Sequence, residues 1–499
     1  MTLHETFIET CEKLADKPAY RDEERTITFS QALEQATLIC GYFRYKGGDE
    51  QNVAILMPGI PEFAICFYGL LKAGKTVVPI NPLLQPSEMV NILADAGVKT
   101  VLSVSPLRKL GEAIESASDV TVAYIDEAAA QVSFLQKKAL VTLGKSLPDG
   151  VEEDSTAVIL YTSGTVGNPK GVVLSHGNLL SNANSADRIF KISENDTILC
   201  VLPLFHSFAL TCILILATLS GARVVFLPRF HPKKVMELIA RDQVTFFMGV
   251  PSMYGVMARQ NYAEGMDISS IRMWISGGAA LPMAVAEGFR RVYGKYPLQG
   301  YGLTETSPVV ALPFFGDAEK PESVGKVLPG VRVKIVGDDG VELPEGATGE
   351  IMVNGPNVMQ GYYNNPTATA EVLQPDGWLL TGDWGKLDEE GFLHICGRKK
   401  DIIISAGENI YPVEIEEVIL ASGKAAEVAV TAMPDDMRGE VPVAYVVAAE
   451  EGADEAALEK VLRDLCRERL AAFKVPKEFR FRKELPKGAT GKVLKRKLA

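Results

Sequence analysis

The chain has 499 residues, 47% of them hydrophobic and 23% charged. That composition excludes a disordered or low-complexity protein and is enough for roughly two to four folded domains. The formal net charge of −12 gives a polyanion such as nucleic acid no overall attraction, so any site for an anionic ligand has to be locally positive. Seven cysteines without a CxxC pair and five histidines without an HExxH spacing argue against a disulfide framework or a zinc site, and for a reducing compartment.

The N-terminus carries Glu5, Glu9 and Glu12 and lacks a basic segment followed by an apolar stretch, so no signal peptide is expected and the expected location is the cytoplasm. A helix opening at Pro61-Glu62 and stopping at Gly74 precedes an apolar strand, Val77 to Ile80. Further buried strands are expected at Thr100–Val104, Ala157–Tyr161, Thr197–Leu202, Ala222–Leu227 and Thr245–Val250, with helical spacing between them, as in His231–Arg241. This alternation implies parallel sheets covered by helices. The apolar run Phe208–Leu219 is too short to span a bilayer and reads as a buried helix.

After about Gly325 the pattern changes. Val331–Val336 alternates at period two and ends in the turn Gly337-Asp338-Asp339-Gly340; Glu350–Val353 and Gly391–Ile395 continue in that style. A small antiparallel or barrel-like region is expected there. A basic cluster, Gly397-Arg398-Lys399-Lys400-Asp401, then precedes a self-contained tail. Its elements are a helix at Pro412–Leu420, strands at Glu427–Thr431 and Pro442–Ala449, and a helix at Asp454–Phe473. The domain boundary is placed near Lys400.

Gly69 to Thr76 fits GxxxxGK[ST], the pattern of a phosphate-binding loop. Here, however, a helix comes first and the strand second, which is the wrong order for phosphate at a helix N-terminus. The stronger candidate is Tyr161-Thr162-Ser163-Gly164-Thr165-Val166-Gly167-Asn168-Pro169-Lys170-Gly171, directly after an apolar strand. Its glycines let backbone N–H groups approach a polyphosphate, and its hydroxyls and lysine add donors and charge.

This string resembles the phosphate-binding loop of the adenylate-forming superfamily, which contains acyl-CoA synthetases, firefly luciferases and peptide-synthetase adenylation domains. Other strings similar to that family's follow in order over nearly the whole chain: PLFHSF (203–208), GGAAL (277–281), QGYGLTET (299–306), DGWLLTGD (376–383), GRKKDIIISAGENIYPVEIE (397–416) and PKGATGK (486–492). Overall the sequence looks most like bacterial long-chain fatty-acid CoA ligases. The resemblance implies an α/β fold: a large N-terminal domain (1–399) of two helix-covered β-sheets plus a β-barrel-like region, and a small, mobile α+β C-terminal domain (400–499). It implies ATP, Mg²⁺ and coenzyme A as cofactor and cosubstrates, and a small-molecule carboxylic acid as substrate.

The same resemblance assigns roles residue by residue. Thr162, Ser163, Gly164, Thr165, Gly167 and Lys170 would hold phosphates. Gly278 and Ala279 would lie beside the nucleotide, Tyr301 would stack on adenine within the Gln299-Gly300-Tyr301-Gly302 string, and Thr304 would bond phosphate. Glu305 would bind magnesium, a hard ion that suits a carboxylate. Asp383 would accept the ribose hydroxyls; Arg398 would be a second ribose contact, with a structural ion pair as its competitor. His206 would order the carboxylate or gate the acyl pocket. Lys492 would bridge carboxylate and α-phosphate, where charge builds during adenylation. Lys400 would be the hinge of the small domain, and Gly407 would line the pantetheine tunnel. Val166 departs from the family's usual Thr or Ser and puts one outer-phosphate contact in doubt.

No arginine, lysine or aspartate lies in PLFHSFALTCILIL, which favours an alkyl chain over a dicarboxylate or an amino acid; an aryl acid stays open. Ile404 stands where luciferases carry a lysine. With seven residues after Lys492, no attached carrier domain is expected, and a carrier protein would be a separate partner. Peripheral membrane contact and homodimerisation also stay open.

Overall fold

The computed structural model describes residues 1–47, 49–127, 133–162, 169–314, 320–406, 408–435, 437–450, 452–488 and 493–498. Two seven-stranded sheets form its centre. One runs, in spatial order, Leu298–Gln299, Met273–Ser276, Phe246–Gly249, Thr197–Cys200, Arg223–Phe226, Pro18–Arg21 and Thr26–Thr28, with every pair parallel except the last. The other runs Gly361–Tyr362, Lys170–Ser175, Thr156–Thr162, Thr76–Pro79, Asn52–Leu56, Thr100–Ser103 and Thr121–Tyr124. It is parallel apart from the two pairs made by Lys170–Ser175. Strands such as Asn52–Leu56 and Phe246–Gly249 are buried at every position, because helices cover both faces.

The helix Pro61–Lys72 ends before the strand Thr76–Pro79, and the Lys75 ammonium donates to the Glu50 carbonyl. That order excludes the GxxxxGK[ST] match as a phosphate loop. The apolar run after His206 forms one continuous buried helical stretch, but Leu210–Ile215 is wound with a wider π-type turn between the helical ends Ser207–Ala209 and Leu216–Ser220. Such widened turns recur at functional sites.

Beyond these sheets the structure turns antiparallel, as the period-two pattern implies. Tyr301–Gly302, Val309–Leu312 and Lys326–Val327 form one small sheet; Arg332–Val336, Gly349–Asn354, Leu379–Leu387 and Leu393–Arg398 form another. A short turn, Lys399–Asp401, leads to a fifth sheet built from Glu408–Ile410, Ile403–Ser405, Gly439–Ala448, Ala425–Asp435 and Glu478–Phe481. The helices Pro412–Ala421 and Glu455–Arg469 pack against it over a separate core containing Ile403, Ile415, Ile419, Val430 and Leu462. The second of these helices ends four residues before Phe473, because Leu470 takes an extended backbone.

The N-terminal helix Leu3–Lys13 is held by a buried histidine pair. The Leu3 N–H donates to His176 Nδ1 at 3.2 Å, and the rings of His4 and His176 meet edge-on with centroids 5.6 Å apart. Burial pushes the His4 imidazole down to about 4 and His176 down to about 3. Both folded-state values lie below the ordinary imidazole value, so the unfolded chain binds protons that the folded chain refuses. This contribution to stability is complete above about pH 6.5 and is lost as pH falls towards 4. We expect the urea midpoint to drop steeply between pH 7 and pH 5, and His176→Asn to flatten that dependence. An unchanged midpoint over this range would contradict the assignment.

Candidate active site

The carboxyl ends of the parallel strands open into one large cleft of about 1570 Å³. Leu202 and Pro203 follow Thr197–Cys200, Val250 follows Phe246–Gly249, Gly277 and Gly278 follow Met273–Ser276, and Gly300 follows Leu298–Gln299; all line it. This is where open α/β sheets place ligands, because the chain leaves adjacent strands there and frees backbone groups. The opposite wall comes from Leu379–Gly382 and Arg398–Ile402, and the rim from Val430–Ala432, Glu440 and Val493–Arg496.

On the second large sheet, Thr156–Thr162 and Lys170–Ser175 pair antiparallel with Thr162 opposite Lys170, and both residues face the cleft. The candidate phosphate loop therefore joins the two strands of a hairpin. Ser163, Gly164, Thr165, Val166 and Gly167 lie outside the described residues, as do Gly407 and Lys492. Lys170 Nζ sits 4.8 Å from the centre of the Tyr362 ring.

Thr304 and Glu305 ride on a short turn, Thr304–Thr306, held by buried amides. Asn182 Nδ2 donates to the Val309 carbonyl at 2.7 Å, and the Val309 N–H donates back to Asn182 Oδ1 at 3.1 Å. Asn357 Nδ2 donates to the Thr306 carbonyl at 2.9 Å. Thr304 Oγ1 lies 3.3 Å from Ser207 Oγ, and Glu305 Oε1 accepts from the Tyr362 hydroxyl at 2.9 Å. Burial, and then the Glu305 charge, push the Tyr362 phenol well up, so it stays a donor. Gly302 admits no side chain, because a Cβ there would collide with the Pro308 carbonyl.

Asp383 is buried and spans two partners. Tyr301 donates its hydroxyl to Oδ2 at 2.9 Å, and Arg398 Nε meets Oδ1 at 3.1 Å. The pairing of Leu379–Leu387 with Leu393–Arg398 sets Asp383 directly opposite Arg398. The arginine thus makes the ion pair that competes with a ribose role, and it makes it with the candidate ribose residue itself. Burial and the Asp383 charge raise the Tyr301 phenol far above its usual range. Lys400 lines the cleft beside Arg398; burial and that neighbour lower its ammonium.

His206 also lines the cleft, with its ring centroid 4.6 Å from that of Phe205 and its Nε2 buried without a hydrogen-bond partner. Burial pushes its imidazole down to about 4, which leaves it neutral at pH 7. Gly278 adopts φ +79° on the cleft wall, a conformation that glycine takes without strain. Gln299 turns its side-chain carbonyl to the Leu281 N–H, and neither it nor Ala279 lines the cleft. Sequence reasoning missed Asn182, Ser207, Asn357 and Tyr362. Only their contacts across the fold distinguish them from ordinary polar residues.

The described cleft carries six basic and five acidic side chains. Its cations concentrate at Arg398–Lys400 and Lys495–Arg496. Glu305 suits Mg²⁺, which binds through one or two carboxylates with phosphate oxygens and water completing its shell. Among the described residues there is no cluster of three or more His, Cys, Asp or Glu that would make an all-protein metal site.

A nucleotide-sized cleft at the strand ends, walled by an antiparallel region and rimmed by a small α+β unit, defines an adenylate-forming enzyme. The chain belongs to the AMP-binding enzyme family: the model for that family matches residues 7–363, and the model for the AMP-binding enzyme C-terminal domain matches 414–492. It is 35% identical to the long-chain-fatty-acid–CoA ligase of Bacillus subtilis (strain 168), covering 100% of this chain and 94% of the relative. It is 37% identical to the indoleacetate–CoA ligase of Aromatoleum aromaticum, over 96% of this chain and 94% of the relative. Among solved structures it is similar to the O-succinylbenzoate coenzyme A synthetase of Bacillus subtilis in complex with ATP and magnesium ion. That likeness has 32% identity and a TM-score of 0.84, covering 99% of this chain and 98% of that chain. The protein is an AMP-forming acid–thiol ligase that joins an acyl or aryl acid to CoA.

The buried amide of Asn182 holds the Thr304–Thr306 turn through three main-chain contacts. Asn182→Ala strands a buried N–H and C=O, and we expect a loss of about 1–3 kcal/mol in denaturant-measured stability. A change within experimental scatter would show that water replaces the amide there.

Proposed function

We propose that the protein activates a fatty acid as its acyl-adenylate and passes the acyl group to CoA. The observation that carries this reading is that the cleft-lining residues from Leu202 to Leu303, among them Phe208, Phe230, Val250, Met253, Val256 and Ile275, include no Asp, Glu, Lys or Arg, so an alkyl tail is desolvated against them at no electrostatic cost. The full-length likeness to long-chain-fatty-acid–CoA ligases supports it.

In this mechanism a carboxylate oxygen attacks the α-phosphorus of ATP and pyrophosphate leaves. The CoA thiol, losing its proton, then attacks the acyl carbon and AMP leaves. Thr162, Lys170 and Thr304 orient phosphates together with Ser163, Gly164, Thr165 and Gly167. Glu305, steadied by Tyr362, would hold Mg²⁺, which neutralises departing pyrophosphate when bound. Asp383 receives the ribose, Gly278 and Tyr301 face the base, and Lys492 bridges the reacting anions. Neutral His206 borders the acyl entrance as a gate. Lys400 is the hinge between units 1–399 and 400–499, about which the smaller turns for thioester formation, with Gly407 lining the pantetheine path. No side chain forms a covalent intermediate.

A second reading is an aryl acid. The Phe208 ring packs close to Gly277, where a Cβ would meet it at 3.0 Å, so the cleft offers an aromatic surface to a planar acid; an indoleacetate–CoA ligase is among the relatives.

The test is CoA-dependent AMP release across saturated, aryl and dicarboxylic acids. We expect kcat/KM to climb about fourfold per CH₂, as ~0.8 kcal/mol per buried methylene gives, and then to plateau. Phe208→Ala should move the plateau to longer chains. Gly277→Val, which pushes the ring into the cleft, should move it to shorter ones. A profile peaking at an aromatic acid favours the second reading, and one peaking at acetate sinks both.

A further inference from the structure

The contacts around the proposed hinge are of two kinds. Lys399 Nζ is tied to Glu350 at 2.9 Å and to Asp338 at 3.1 Å, both in the larger unit, so the chain is anchored there up to this residue. Past it, the smaller unit leans back on the larger one. Its helix Pro412–Ala421 packs on the helix Met283–Tyr293 and on the strand Leu393–Arg398. In this orientation the smaller unit brings Val430–Ala432, Glu440 and Val493–Arg496, which directly follow Lys492, to the rim of the cleft.

An aromatic contact bridges the two units at that interface. The Trp384 ring meets the ring of Tyr411, the residue that opens the helix Pro412–Ala421, with centroids 6.3 Å apart and planes tilted by 41°. Trp384 is only 7% exposed and follows Asp383 on the strand Leu379–Leu387. Successive side chains of a strand face opposite ways, so the indole turns away from the carboxylate that meets Tyr301 and Arg398. A ring pair of this geometry favours the state that forms it by about two- to tenfold. The same side chain also works against that state. Its Nε1 is buried without a hydrogen-bond partner, and a stranded donor penalises the conformation that dries it.

We propose that Trp384 and Tyr411 form a latch that positions the smaller unit for acyl-adenylate formation, and that the stranded indole N–H lets the latch release for the thioester step. Both are positioning residues that act through the orientation of the smaller unit. The inference rests on the reading in which that unit turns about Lys400 between the half-reactions. The test runs the halves separately under single-turnover conditions: pyrophosphate release from ATP and acid, and thioester formation from synthetic acyl-adenylate and CoA. Trp384→Ala and Tyr411→Ala remove the contact from opposite sides. Each should slow the first half about two- to tenfold and leave the second unchanged or faster. Trp384→Phe keeps a ring but removes the unpaired donor, so it should spare the first half and slow the second several-fold. Tryptophan emission gives a readout apart from turnover. In the parent bound to a non-reactive acyl-adenylate analogue, CoA should shift emission to longer wavelength as Trp384 meets water, and Trp384→Phe should lose that shift. Alanine variants that slow both halves equally, as a merely loosened fold would, or a Trp384→Phe that behaves like Trp384→Ala, overturn the proposal. Lys400→Pro separates this failure from failure of the hinge. If it slows thioester formation alone while the Trp384 variants run both halves at the parent's rate, the hinge stands and the latch falls. If it slows both halves equally and CoA leaves the emission unmoved, the hinge fails and the latch with it.

Discussion

The architecture of the cleft turns on one buried carboxylate. Asp383 reaches Tyr301 from the three-stranded sheet and Arg398 on the neighbouring strand of its own, just before the turn that leads to the C-terminal sheet. A buried charge must be paired, and removing one partner leaves the other stranded at a cost of several kcal/mol. The pairing therefore fixes the floor of the nucleotide-sized space and the starting point of the chain into the smaller unit. The same carboxylate thereby registers the four-stranded antiparallel sheet against the small sheet that carries Tyr301.

Electrostatics of the remaining cleft follow from balance rather than excess. The sequence, acidic overall, leads to the expectation of a locally positive site, and the described cleft carries six basic against five acidic side chains. Lys399 is tied to Glu350 at 2.9 Å, which raises its ammonium and takes it out of play as a mobile charge. A triphosphate entering such a space needs compensation from a divalent cation and from backbone donors. Glu305, accepting from a phenol that burial keeps protonated, offers a carboxylate whose chemistry suits such a cation.

Much of this was legible in sequence because parallel strands buried on both faces read as short apolar runs. Thr100–Ser103 and Phe246–Gly249 fall within a residue or two of the expected segments. The switch to period two at Val331 marks the antiparallel region for the same reason. Short strands with a polar or mixed character, such as Pro18–Arg21 and Gly361–Tyr362, carry no such signal. At the site, the motif strings contain Tyr301, Thr304, Glu305 and Arg398, which line one cleft, and Asp383, which is buried against Tyr301 and Arg398. They could not reveal that Asn182 and Asn357 hold the Thr304–Thr306 turn, since those bonds join residues more than fifty positions apart or on different elements. Nor does a motif disclose that Gln299 turns to the backbone of Leu281, because side-chain direction at a strand end depends on the loop opposite.

The central claim is that the acid reacts through an acyl-adenylate, and it makes a commitment about atoms. With a carboxylic acid labelled at both oxygens with ¹⁸O, attack on the α-phosphorus and later thiolysis leave one labelled oxygen on AMP and one on the thioester carbonyl. Mass spectrometry of the products after a single turnover with ATP and CoA reads this directly. The account predicts AMP carrying one ¹⁸O and unlabelled pyrophosphate. Label appearing in inorganic phosphate, with ADP as the nucleotide product, would mean an acyl-phosphate route and would contradict it.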